Sequence, residues 1–194
     1  MLSIPENLRA GRMIGAMFFF VFGGAWLALW GYSEFGHPAL VLGGVGASTL
    51  ALFGLAYGSY RSAFQASSAG VDSPEKKKAD QVFYFVNAGQ WVVIFLVITA
   101  LNKLGLAQWI FPALIFIVGL HFLPLAYLFK NRMNYLTGGA LLLVAVIYPF
   151  AAGGGPRSSI GCLCTGVILW CSAIWAIVAN QLSVPAPRTH FPTA

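Results

Sequence analysis

Charge is what this chain has least of. Only 8% of its 194 residues are charged, against 59% hydrophobic. A water-soluble domain carries about 25% charged residues, because its surface has to be hydrated. Most of this chain's exterior therefore has to face lipid. Acidic residues are five in all, and no Asp, Glu, Lys or Arg lies in the middle of an apolar run. This excludes the membrane carboxylate on which proton- and sodium-coupled pumps ordinarily rely. It also excludes a retinal Schiff base, which needs a mid-span lysine.

Metal ligands are too few and badly spaced. Cys162 and Cys164 are two apart, so on a helix they point to nearly opposite faces. Cys164 and Cys171 share a face but lie ~10 Å apart along the axis, too far to share a zinc at a Zn–S distance of about 2.3 Å. Of the three histidines only His121 lies inside an apolar run, which excludes bis-histidine haem within one chain. The chain has no Walker loop, no Gly-x-Ser-x-Gly elbow and no His-Glu-x-x-His helix. Gly153-Gly154-Gly155-Pro156 falls between apolar runs and reads as a loop. No metal, cofactor or catalytic residue is assigned.

Long apolar runs are what the chain has most of. A bilayer core of ~30 Å needs about 20 helical residues. Six runs qualify, at Met13–Gly31, Pro38–Tyr57, Val82–Leu101, Trp109–Phe129, Tyr135–Ala152 and Ile160–Ala179. They are continuous, whereas a transmembrane barrel would show alternation over segments of about 10 residues. Helices satisfy their own backbone in lipid, so the fold predicted is an all-α, integral membrane six-helix bundle in one domain, residues 1–182. The first run follows Arg9 and Arg12 but exceeds the roughly 7–15 residues of a signal-peptide core and meets no cleavage site, so it counts as a span.

Six spans place both termini on one side. With that side inside, the inner segments hold Arg9, Arg12, Arg61, Lys76, Lys77, Lys78, Lys130, Arg132 and Arg188, nine of the eleven basic residues, and the outer loops hold Lys103 and Arg157. Such a bias marks the cytoplasmic face. The segment 62–80 reads as a mobile cytoplasmic linker. Its Lys76–Lys78 triplet serves as a topology signal and a headgroup attractor, not as a nucleic-acid site. The tail 183–194, with Pro185, Pro187 and Pro192, cannot continue a helix.

Pro38-Ala39-Leu40 and Leu55-Ala56-Tyr57 in the second span are echoed by Pro112-Ala113-Leu114 and Leu125-Ala126-Tyr127 in the fourth. This suggests three tandem helical hairpins. The second span also carries Gly43, Ala47, Ala51, Gly54 and Gly58 on one face, and Gly11, Gly15 and Gly23 form a shorter set on the first. Small residues let helices approach closely in lipid. The ridge serves either packing inside the bundle or a homodimer seam.

One apolar run holds an ionisable ring, His121, three residues before Pro124. At 1.5 Å per residue His121 and Gln90 both lie roughly 12 Å from the inner boundary, with Asn87 one turn below. Ser172 falls at a similar level. Asn87 and Gln90 share a face with Tyr84 beneath them. Polar groups at one depth on different helices should face each other rather than lipid. The layer formed by His121, Gln90, Asn87, Ser172 and Tyr84 either glues helices together or lines a cavity for a small solute or lipid. Pro124 leaves the carbonyl of Leu120 without its helical donor.

Gly119-x-His121-x-x-Pro124, with the aromatics, Lys130 and Tyr135 that follow, resembles a motif in small multi-span bacterial membrane proteins to which no reaction is assigned. The resemblance covers the fourth span and the start of the fifth. It implies a multi-pass protein of the bacterial inner membrane, and no particular activity. Three functional classes follow. The first is a transporter-like or small-ligand-binding protein around His121. The second is a structural or accessory subunit, including a homo-oligomer. The third, an intramembrane enzyme, is the weakest, because His121 has no carboxylate partner within its span.

Overall fold

The computed structural model describes residues 6–36, 38–66, 74–129 and 131–182, with side chains outside 6–10, 63–66 and 74–80. Residues 67–73 of the expected linker and the 183–194 tail lie outside the described residues. Six helices follow one another: α1 (Glu6–Phe35), α2 (Ala39–Ala66), α3 (Pro74–Lys103), α4 (Ile110–Leu128), α5 (Arg132–Ala151) and α6 (Ile160–Gln181). There is no strand among the described residues. All six helices are long and apolar enough to cross a membrane. Each expected run falls on one helix to within a residue, and the chain is an all-helical, multi-pass bundle.

Local chemistry explains where the helices end. α1 and α3 stop at Gly36 and Gly105, which adopt φ of 76° and 71°, a left-handed conformation that costs a side-chain-free residue nothing. Gly36 N–H returns to the carbonyl of Tyr32, and Leu106 N–H to that of Leu101, which satisfies carbonyls the helix leaves open. Asn131 starts α5 by accepting from Met133 N–H at 3.2 Å. Pro74 opens α3 at a position where its missing N–H does no harm. The Glu, Lys and Ala that follow are strong helix formers. Helix therefore takes up both ends of the 62–80 segment.

Side by side, the helices run α2, α1, α6, α5, α4, α3. The three expected hairpins, α1–α2, α3–α4 and α5–α6, each pack as a pair. Yet the most extensive packing joins the first helix to the last, α1 to α6, with α4 against α5 also close. α2 and α3 are consecutive but flank opposite sides, and neither packs along the other. One core gathers Ile115, Phe122, Leu125, Leu141 and Leu169, and a second gathers Ala16, Phe20, Ala56 and Ala173. Phe19 on α1 meets Phe122 on α4 edge to face at 5.2 Å between centroids, which joins the two cores.

Glycines set the closest seams. A Cβ on Gly23 would meet the Gly166 carbonyl at 3.1 Å, and one on Gly166 would meet the Gly23 carbonyl at 2.9 Å. On α4 and α5, a Cβ on Gly138 would lie 2.8 Å from the carbonyl of Gly119. Only glycine lets these backbones meet. Trp170 Nε1–H crosses the α1–α6 seam and donates to the Phe20 carbonyl at 3.1 Å. The ridge of α2 is placed differently. Gly43, Ala47, Ala51, Gly54 and Gly58 are all exposed, and a Cβ on any of its three glycines would meet nothing within 4 Å. α2 instead turns Ala56, Leu52 and Thr49 toward α1. Of the small set on α1, Gly23 is at a seam, while Gly11 and Gly15 face open space.

Candidate functional site

Contacts between helices fix the depth of the polar residues. Phe83 on α3 and Phe129 on α4 pack ring to ring at 5.9 Å. Gln90 lies seven residues up α3 from Phe83, ~10.5 Å, and His121 lies eight residues back along α4 from Phe129, ~12 Å. The two therefore differ in depth by only ~1.5 Å. Val86 and Phe83 pack against the core that contains Phe122 and Leu125. Gln90, four residues beyond Val86, shares their face, so it is on the side of α3 that meets α4.

α5 and α6 extend this level. The Gly119–Gly138 crossing brings Thr137 close to the depth of His121. Thr137, only 2% exposed, shares a hydrogen bond of 2.7 Å with Ser172 on α6. Each hydroxyl also has a carbonyl of its own helix within reach, Met133 for Thr137 and Ile168 for Ser172; with one proton apiece, one hydroxyl donates to the other, which in turn donates to its own carbonyl. Both hydroxyl protons thus find acceptors within the pair and its helices, and this part of the layer is closed.

The α3–α4 part is open. His121 Nδ1 is buried and has no hydrogen-bond partner among the described residues. Buried nitrogen without a partner is rare in folded proteins and calls for a cause. The ring contacts Phe122 at 5.9 Å, edge to face. No hydrogen bond among the described residues joins His121 to Gln90 or Asn87. Asn87 Nδ2 donates to the carbonyl of Phe83 on its own helix at 2.9 Å. Tyr84 is 71% exposed and faces away from the bundle, its ring against Phe83. Of the five residues predicted, the structure thus places Gln90 and His121 at one level on facing helices. Ser172 lies nearby on α6, Asn87 is occupied by its own backbone, and Tyr84 is outside.

Thr137 is the residue sequence reasoning passed over. It lies so near the start of its run that it reads as interfacial, yet α6 covers it. A hydroxyl beside Gly138-Gly139 was the available signal, since a small pair invites a neighbouring helix. Two cavities stand out, and neither is lined by His121. One, of about 340 Å³, lies between Val144 and Tyr148 on α5 and Ile160 and Cys164 on α6. The other, of about 450 Å³, opens at the α4–α5 turn. At the far end of α1 Ser159 Oγ donates to Glu34 at 2.6 Å, which links the end of α1 to the start of α6. No group of three or more His, Cys, Asp or Glu side chains comes together among the described residues. The chain matches no family model, no curated protein and no solved structure.

Proposed function

We propose that this multi-pass membrane protein binds a small solute or lipid at the α3–α4 face around His121, as a transporter or ligand-binding protein. The buried, unpartnered Nδ1 of His121 carries the reading. An intramembrane polar group is by default a functional-site hypothesis, and this one lies level with Gln90 on the facing helix. A neutral imidazole offers one donor and one acceptor, and a glutamine amide offers both. Phe83 packs edge to face on Phe129 and against the core that contains Phe122, so aromatic surface lies at the same helix pair. The matching ligand has an apolar body and one or two neutral hydrogen-bonding groups such as hydroxyl, carbonyl or amide. A charged ligand is disfavoured, since no opposite charge lies mid-span to receive it.

The reading takes the bacterial inner membrane as its setting, on the Gly119-x-His121-x-x-Pro124 resemblance. It takes both termini as cytoplasmic, on the bias of basic residues. A single cysteine introduced at Arg157 should then react with an impermeant reagent only from outside. Native mass spectrometry of the protein purified in mild detergent tests the ligand. A bound small molecule that His121→Ala loses, with the fold intact by circular dichroism, is the expected result. A ligand-free wild type whose His121→Ala variant only melts earlier would turn the residue into structural glue.

The uncovered ridge of α2 favours a second reading, an accessory subunit or homo-oligomer. Gly43, Ala47, Ala51, Gly54 and Gly58 present a smooth face to whatever lies beside α2. Gly54→Leu would roughen that face without touching the chain's own packing. Loss of an oligomer in that variant supports this reading, and an unchanged monomer removes it.

A further inference from the structure

The cavity at the α4–α5 turn is bounded by Ala126, Tyr127, Leu128, Arg132 and Tyr135. Its position is set by the spans themselves. Leu128 is the last residue of the fourth membrane-crossing segment and Arg132 the first of the fifth, so the cavity opens at the level where hydrocarbon gives way to lipid headgroups. We infer that it holds the phosphate of an anionic phospholipid, with Arg132 as the charged contact and the Tyr127 and Tyr135 phenols beside it.

Three observations carry this. Arg132 is exposed, and among the described residues it has no carboxylate partner. Its guanidinium is a planar fork that matches two phosphate oxygens at once. Tyr127 and Tyr135 are exposed, at 81% and 44%, and their phenols supply further donors at the depth where tyrosine is favoured. Ala126 is fully buried and Leu128 partly so, which gives the start of an acyl chain an apolar wall. At about 450 Å³ the space falls within the range of small-molecule sites. The positive end of the α5 dipole adds to the attraction. A basic pocket between membrane helices is a recognised form of anionic headgroup site.

The test uses the purified full-length chain in neutral detergent. Short-chain phosphatidylglycerol, phosphatidylcholine of the same chain length and inorganic phosphate are titrated separately, and bound mass is read by native mass spectrometry. Phosphatidylglycerol should bind one copy more tightly than phosphatidylcholine. Arg132→Gln should weaken it about tenfold, Arg132→Lys should fall between, and Lys103→Gln at the opposite end should change nothing. Equal retention by wild type and Arg132→Gln would overturn the site, leaving an arginine that is merely hydrated among headgroups. Complete displacement of the lipid by equimolar phosphate would overturn the lipid as ligand in favour of a free anion. Should Arg132→Gln fail to fold, the Tyr127→Phe, Tyr135→Phe double variant carries the same question. It should lose about threefold in phosphatidylglycerol binding, and unchanged binding would sink the proposal.

Discussion

The α1–α6 seam and the α3–α4 seam join membrane spans of similar length and near-equal hydropathy by different means. At the first, Gly23 and Gly166 bring two backbones together, and Trp170 bonds across to Phe20. At the second, large rings such as Phe83 and Phe129 hold the helices apart, and none of the apolar stretch of α3 is fully buried. Lipid tails are as apolar as leucine, so apolar character cannot decide which helices meet. Small residues and hydrogen bonds decide it. The polar layer follows the same division: closed where Thr137 meets Ser172, open at His121, whose Nδ1 has no partner among the described residues.

Steric variants press hardest on this contrast. Gly166→Leu should destabilise the bundle by about 3 kcal/mol, because its first added carbon already meets Leu27 and the Gly23 carbonyl. Gly89→Leu on α3 meets nothing within 4 Å and should stay within about 0.5 kcal/mol of wild type. Thermal unfolding in detergent compares them, and equal losses would erase the distinction between the seams.

Trp170→Phe keeps most of the ring and removes the bond to Phe20. A loss of about 1 kcal/mol is expected. A neutral result would mean that the glycines alone hold α1 to α6.

The finest test is a pair of double-mutant cycles. Thr137→Val with Ser172→Ala should show a coupling of about 0.6 kcal/mol, as interhelical hydrogen bonds in membranes do. Gln90→Ala with His121→Ala should show none in ligand-free protein, since no bond joins them. Coupling that appears only when a ligand is added would place that ligand between the two.

Much of this architecture was legible in the sequence, and the reason is the solvent. Lipid demands unbroken apolar runs, so every span announced itself. A fixed rise per residue put Gln90 and His121 at one depth before any contact was known. Helix ends were less legible, because the hydrophobic window reports the membrane while the helix runs on through residues 74–80. Helix neighbours were legible within the three hairpins, but the pairings of α1 with α6 and α4 with α5 were not. When every face is apolar, periodicity carries no direction. The regular ridge of α2 drew attention, but the close backbone-to-backbone approaches fall at Gly23, Gly119, Gly138 and Gly166, one to a helix and without a repeat. His121 could be placed in depth, but its unpartnered nitrogen emerged only from the geometry.

The pairing of α1 with α6 also sets a timetable. Phe20 and Trp170 are 150 residues apart in the chain. At about 5–20 residues added per second, α1 enters the bilayer roughly 8–30 s before its principal neighbour has been made. Through that interval the Gly23 face has only lipid against it, and α1 keeps only α2 and the ring contacts that Phe19 and Trp26 make with α4. The row of helices therefore lacks the span that joins α1 to α5 until the last one arrives, and a ribosome that stalls before α6 leaves an exposed glycine seam for membrane quality control to read.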